Sequence, residues 1–210
     1  IKTTNMPFYN TPFREIFQED LKIPVYLGND ADCAAVGEYW AGSAKGFDPA
    51  LVITLGTGIG SGMVRGGKLY IGHGGAGMEA GHMIIHPNGV RCGCGNLGCW
   101  EQLCDGDTRK LEGRTTFQAV REGDATARKA LDRYLEGLSM GLINLVNVLF
   151  PEIVCLGGGI SNADDDLLLN PLRELVHRGS FDKDHLPRIE RASLGNDAGV
   201  VGAAMLCNMF

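Results

Sequence analysis

Between His82 and Cys99 the chain places one imidazole and three thiols at intervals that can close on a single ion. Cys92 follows His82 by 10 residues, Cys94 follows Cys92 by two and Cys99 follows Cys94 by five. Three soft thiolates and an imidazole suit tetrahedral zinc, and Gly93, Gly95 and Gly98 permit the sharp path that such a wrap requires. On spacing alone His86 and Cys104 compete as ligands, whereas Cys33, Cys155 and Cys207 sit in apolar runs and read as small buried hydrophobes. With all four positions filled by protein, the ion has no place for a reactive water, so its role would be structural.

A second candidate is the glycine turn Gly56-Thr57-Gly58-Ile59-Gly60-Ser61-Gly62, which follows the apolar run Leu51–Leu55. Backbone amides exposed by successive glycines converge readily on an anion, and the hydroxyls of Thr57 and Ser61 are further donors, so phosphate is the natural guest. A hairpin turn with no ligand is the plainer reading. The dinucleotide fingerprint is excluded because its third glycine position is Ser61, and the P-loop is excluded because Gly67-Lys68 is followed by Leu69.

Carboxylates form the third group. Asp30 stands where an apolar run hands over to a helix, so it either caps that helix or serves as a general base that takes a proton from a substrate hydroxyl. Asn29 precedes it, and Glu79 and Glu101 flank the cysteine segment on either side. Such a polar set suits a polyhydroxylated ligand. Asp32 reads as a first-turn residue stabilised by the helix macrodipole.

These groups need elements to hold them. Phe13–Leu21 has modest helical spacing; Val25–Leu27 reads as a short buried strand ending at Gly28, and Cys33–Trp40 as a helix of small residues. Leu51–Leu55 is a strand, with hairpin returns at Met63-Val64 and Lys68–Ile71. Apolar residues at Leu131, Leu135, Leu138, Leu142, Leu145, Val146 and Leu149 mark one long core helix over 125–150, stopped by Pro151. Ile153–Leu156 is another buried strand, Gly157-Gly158-Gly159 follows it, and helices are predicted over Ala163–Arg178 and Val200–Met209. Strands alternating with helices give an α/β layered fold.

Composition bounds the function class. The 210 residues are 44% hydrophobic and 21% charged, which argues against disorder and predicts a soluble globular chain. No run approaches the roughly 18–20 apolar residues of a membrane span, and the start lacks the layout of a signal peptide. Nineteen basic against 25 acidic residues give a net charge of −6 with no basic cluster, so nucleic-acid binding by this chain is not expected. Seven cysteines, four of them between Cys92 and Cys104, favour a metal site in a reducing cytoplasm over a disulfide framework. The chain opens at Ile1 in a loop-like stretch and reads as a fragment.

Taken together these segments resemble the ROK group of bacterial sugar kinases and sugar-responsive repressors, which has an actin-like ATPase (ribonuclease H-like) fold. The resemblance rests on Glu79-Ala80-Gly81-His82, His86-Pro87-Asn88-Gly89, and Cys92-x-Cys94-Gly95-Asn96-x-Gly98-Cys99-Trp100-Glu101. Asn29-Asp30-Ala31 with Gly37-Glu38, Leu55–Gly60, and Gly157-Gly158-Gly159-Ile160 complete it. It implies Asp30 as the base, and Asn29, Asp30, Glu79, His82 and Glu101 as the residues that hold the sugar hydroxyls. It favours His82 over His86 as the ligand completing Cys92, Cys94 and Cys99, one ring nitrogen binding structural zinc and the other reaching the sugar. Gly56, Thr57 and Gly58 would face the phosphates of ATP, Gly158 and Gly159 its adenosine, with magnesium bridging the phosphates.

The activity so implied is that of a glucokinase-type phosphotransferase. It would transfer the γ-phosphoryl of ATP to the 6-hydroxyl of glucose or a related aldohexose, in cytoplasmic carbohydrate metabolism at the entry to glycolysis. The alternatives are a repressor whose same pocket binds an inducer and an N-acetylated amino-sugar kinase. The family's first phosphate loop, Asp-x-Gly-x-Thr, is absent from these residues. The expected division is therefore a remnant of the small N-terminal domain over 1–30, a large domain over 31–195 holding the zinc segment 82–99, and a C-terminal helix over 196–210 that packs on the small domain. Alone, such a chain is expected to turn over poorly. The resemblance also implies a homodimer and a longer helical connection than Cys104–Thr115 provides.

Overall fold

The computed structural model describes residues 11–103 and 115–209. Five strands form one mixed sheet: β1 (Ala50–Leu55), β2 (Ile59–Arg65), β3 (Lys68–Leu69), β4 (Ile153–Gly157) and β5 (Arg188–Arg191), in the order β3-β2-β1-β4-β5. β1 pairs antiparallel with β2 and parallel with β4, and β4 pairs parallel with β5. The helices are α1 (Phe13–Leu21), α2 (Asp30–Ala41), α3 (Trp100–Leu103), α4 (Thr116–Arg121), α5 (Ala125–Leu149), α6 (Leu169–Gly179) and α7 (Ala198–Met205).

Side chains alternate across a strand, and the central strands use both faces. Leu51, Ile53 and Leu55 of β1 and Val154 and Leu156 of β4 join the core formed with α5 and α6. Ala50 and Val52, with Ile153 and Cys155, pack instead with Ala35 of α2. The result is three layers, α2 and α7 on one side of the sheet and α5 and α6 on the other. This double burial explains why β1 and β4 read as continuous apolar runs rather than alternating ones.

α5 follows its sequence pattern. Asp124 caps it, its Oδ1 accepting from the amides of Thr126 and Ala127 at 2.8 and 3.0 Å. Leu131, Leu138 and Leu142 are at most 1% exposed, each contributing roughly 1.5–3 kcal/mol of burial. Phe150 closes the helix in a left-handed conformation, φ 49°, and donates its N–H to Val146 O.

The structure corrects several expectations. Val25–Leu27 belongs to no strand; the sheet edge is occupied by β3, Val25 and Leu27 are half-buried and Tyr26 is exposed. The helix expected from Ala163 starts at Leu169, because Asp164 and Asp166 are drawn to Arg121 and Asp165 to Arg191 at 2.6–2.7 Å, which holds the preceding residues in turns. β3 ends at Leu69, not Ile71. The terminal helix runs over Ala198–Met205 and tightens into a single 3₁₀ turn over Leu206–Asn208. Cys33 and Cys155 are buried, but Cys207 is exposed. β5 carries one buried apolar residue, Ile189, and so gave no strand signal. Cys104 and nearly all of the Cys104–Thr115 connection lie outside the described residues.

No helix among the described residues is long and apolar enough to cross a membrane.

Candidate functional site

The first element of the site is the N-terminus of α2. Asn29, in extended conformation, is the cap: its Oδ1 accepts from the amides of Ala31 at 2.8 Å and Asp32 at 3.4 Å. Asp30 is therefore the first helical residue rather than the cap, and its carboxylate is exposed with Oδ1 2.9 Å from the Ala31 amide. Capping, the plain role open to Asp30, is filled by its neighbour. The first turn of α2 lies directly on β2 at Gly62, where a Cβ would come within 3.0 Å of the Asp32 Cα.

Two glycine turns sit at one edge of the sheet. β1 and β2 are joined by Gly56–Gly58, with Leu55 paired to Ile59 across the turn. β4 runs parallel beside β1, Gly157 opposite Thr54, so Gly158-Gly159 emerges from the same carboxyl edge as Gly56–Gly58. Ligands of open α/β sheets bind at that edge. Gly158, at φ 83°, passes so close to Leu55 O that a Cβ would stand 2.3 Å from it. Thr57 is exposed on its turn, but Ser61 is not a phosphate donor. Its hydroxyl is buried, donates to Met78 O and accepts from the Ala80 amide. Ser61 thus fixes the segment that carries Glu79.

The cysteine cluster closes as its spacing indicated. His82 ends a single 3₁₀ turn over Ala80–His82, and the bridges Ile84–Cys99 and Arg91–Leu97 fold the following segment back on itself. Ligand atoms of His82, Cys92, Cys94 and Cys99 all lie within 4.8 Å of one another. Cys92 Sγ is 3.7 Å from His82 Nδ1, and Cys94 Sγ is 3.6 Å from Cys99 Sγ. A tetrahedral ion with bonds of about 2.3 Å has edges near 3.8 Å, so the donor set fits one. His86 is exposed and outside the cluster. Burial, reinforced by the Glu101 carboxylate, pushes the Cys92 thiol up to about 12. The Asn96 backbone amide lowers the Cys94 thiol. A bound cation would deprotonate such thiols.

Glu101 joins the two halves. Its Oε1 accepts from Cys92 Sγ at 2.9 Å and lies 3.6 Å from His82 Nδ1. Its Oε2 reaches the Gly56–Gly58 turn, 2.6 Å from where a Cβ on Gly58 would be. The preceding residue anchors it: Trp100 is fully buried and donates from Nε1 to Gly137 O of α5 at 3.0 Å. The indole lies over Gly141, where a Cβ would stand 2.0 Å from Cε2.

Glu79 and Asp30 share a neighbour in Asp32. Burial first, then the negative charges of Glu79 and Asp30, raise its carboxyl to about 6. Asp32 does occupy the first turn of α2, but burial overrides the macrodipole that was expected to stabilise its charge.

Thus the structure gathers His82, Cys92, Cys94, Cys99 and Glu101 in direct contact, and places Asn29, Asp30 and Glu79 around the first turn of α2. The two glycine turns lie together at the sheet edge. Trp100 and Glu38 stood in the quoted motifs with no role given; sequence reasoning missed the seat of Trp100 on Gly137 and Gly141, the burial of Ser61 and the buried contacts of Glu38. Glu38 is fully buried, its carboxylate accepting from the amides of Ser43 and Leu194 at 2.8 Å and Ser193 at 3.1 Å. The Gly137/Gly141 pair, four residues apart in an otherwise bulky helix, was the available sign of a slot for a large side chain.

Comparison with known proteins is consistent with this geometry. The ROK family model matches residues 1–209. The chain is 33% identical over 234 residues to the glucokinase of Thermotoga maritima, covering 96% of this chain and 72% of that one. A Streptomyces griseus ROK family glucokinase, solved in complex with glucose and AMPPNP, superposes with a TM-score of 0.84 at 32% identity, over 98% of this chain and 75% of that one. The ROK hexokinase of Thermus thermophilus gives 0.81 at 36%, over 93% and 68%. Relatives also include an N-acetyl-D-glucosamine kinase of Pectobacterium carotovorum, 32% identical, over 97% of this chain and 73% of that one. A xylose repressor of Caldicellulosiruptor bescii is 29% identical over 96% of this chain and 55% of that one.

Proposed function

The chain belongs to the ROK family, and on that premise we propose that it is an ATP-dependent hexose kinase acting on the 6-hydroxyl of glucose or a related aldohexose. The observation that carries this reading is the division of labour at the head of α2. Asn29 caps the helix, and the Asp30 carboxylate stays exposed in its first turn, Oδ1 accepting from the Ala31 amide at 2.9 Å. A sensor pocket requires no such base.

In this reading Asn29, Glu79, His82 and Glu101 hold the sugar hydroxyls. Asp30 accepts the 6-hydroxyl proton as that oxygen forms its bond to the γ-phosphorus, and the bond to the departing ADP oxygen breaks. Gly56, Thr57 and Gly58 face the phosphates of a nucleotide that arrives as its magnesium complex, and Gly158 and Gly159 face its adenosine. His82, through Nδ1, Cys92, Cys94 and Cys99 would hold structural zinc, which would fix the imidazole and leave Nε2 for the sugar. The division into a small domain before about residue 30, a large domain and a C-terminal helix belongs to the same proposal, as do a cytoplasmic location and a homodimer. Among the described residues α7 packs against α2, which that division places almost wholly in the large domain.

A coupled assay of the native polypeptide tests the reading, with glucose, N-acetylglucosamine, N-acetylmannosamine and fructose each offered with ATP. Glucose-dependent ADP release is expected. Preference for an N-acetylated sugar would move the substrate assignment, and sugar binding with no turnover on any of them would favour an inducer pocket.

A further inference from the structure

Asp32 is a buried acid at the head of α2 that the proposed chemistry leaves unused. It is 7% exposed, and its Oδ1 has no hydrogen-bond partner among the described residues. Buried carboxylates are ordinarily paired or fully hydrogen-bonded because burying an uncompensated charge is costly, and Glu38 on the same helix is satisfied by three amides. Asp32 is not.

The groups that face it are all acidic or neutral. Asp30 lies in the same turn and Glu79 on the segment fixed by Ser61, and both act on Asp32 as negative charges. Cys33, the next residue, is itself pushed up by burial and then by Asp32. The part of β2 beneath Asp32 is Gly60-Ser61-Gly62, and α7, packed on α2, has no titratable side chain. None of these groups among the described residues is a cation that could pair the carboxylate.

Resting on the kinase reading, we propose that Asp32 is a positioning residue for the transfer: its buried carboxylate, with Oδ1 unpartnered among the described residues, supplies negative charge that drives the substrate proton onto Asp30. When Asp30 takes the 6-hydroxyl proton, its negative charge passes to the 6-oxygen and the transferred phosphoryl group, so a carboxylate in Asp30's own turn is relieved of a neighbouring charge and favours the step. Asp32 neither gains nor loses a proton in the reaction. With Asp32 protonated, that drive is lost while the sugar contacts stay intact.

The Asp32 carboxyl at about 6 sets the pH at which the effect is read. In the native polypeptide, turnover at saturating glucose is expected to fall as pH drops through about 6. Asp32→Asn is expected to remove that limb, leaving turnover flat from roughly pH 5.5 to 7.5, slower by roughly tenfold at pH 8, with KM for glucose within about twofold. A variant that keeps the wild-type limb overturns the proposal. If Asp32→Asn does not fold, the carboxyl ¹³C shift of Asp32 in the unsubstituted protein decides. A midpoint near 6 that drops in Asp30→Asn supports the proposal, and a midpoint below about 4.5, or one indifferent to Asp30, refutes it. A protein that phosphorylates no sugar at any pH removes the kinase reading instead, and the same ¹³C titration then still judges Asp32.

Discussion

The carboxylate of Glu101 fills the space beside Gly58 that any other residue's side chain would need: Oε2 stands 2.6 Å from the position of a Cβ there. Through this one contact the turn assigned to the phosphates touches a residue that also contacts the cysteine cluster, Oε1 lying 2.9 Å from Cys92 Sγ. The residues proposed for the sugar and those proposed for the nucleotide are therefore adjacent in the folded chain, as the proposed phosphoryl transfer demands.

Gly58→Ala is expected to push Glu101 out of this position. The hydrophobic core is untouched, so the melting temperature should stay within a few degrees of wild type, while KM for glucose rises roughly tenfold or more. Steady-state kinetics beside a thermal melt would check this. An unchanged KM would mean that Glu101 does not hold the sugar.

Asp30→Asn removes the proton acceptor and keeps the shape. Turnover should drop by about 10²–10⁴-fold, with glucose affinity by calorimetry close to wild type. Turnover above a tenth of wild type would remove Asp30 from the chemistry.

For the cysteine cluster the expected content is near one equivalent of zinc per chain by metal analysis, released by Cys94→Ser. Loss of the ion should loosen the segment 82–99 and weaken glucose binding, because His82 is set by it. Metal-free protein with full sugar affinity would count against the arrangement.

Gly141→Ala places a methyl where the Trp100 indole lies. Overpacking of this kind costs about 1–3 kcal/mol, and because Trp100 precedes Glu101, glucose affinity should fall together with stability. Denaturant melts and calorimetry on the same variant test the coupling; lost stability with intact affinity would show that Trp100 does not set Glu101.

Asp32 also makes a stability prediction with a definite sign. Its folded carboxyl lies at about 6, above its ordinary value of 3.8, so the folded state holds the proton more tightly. The group's favourable contribution is present below about pH 4 and is lost as pH rises through about 6. Asp32→Asn should therefore raise stability by about 1–3 kcal/mol above pH 7, with the gain vanishing near pH 4. Melts of both proteins at the two pH values measure the difference directly, and a variant less stable than wild type at pH 7 would contradict it.

Much of this was written in the chain locally. Metal ligands within 18 residues of one another, a glycine turn after an apolar run and a 25-residue helix with apolar residues every three or four positions depend on short-range geometry, which sequence spacing encodes. The resemblance to the ROK family added roles for Asp30, Glu79 and Glu101. What the sequence could not decide were relationships between residues far apart. Which of Asn29 and Asp30 caps α2 depended on the helix's exact start, and the burial of Ser61 on its strand's packing. The isolation of Asp32 depended on β2 lying beneath it, and the place of Glu101 on a slot in a helix some 40 residues downstream. Each is set by how layers stack around buried area, and stacking depends on the summed shape of many side chains rather than on the spacing of a few.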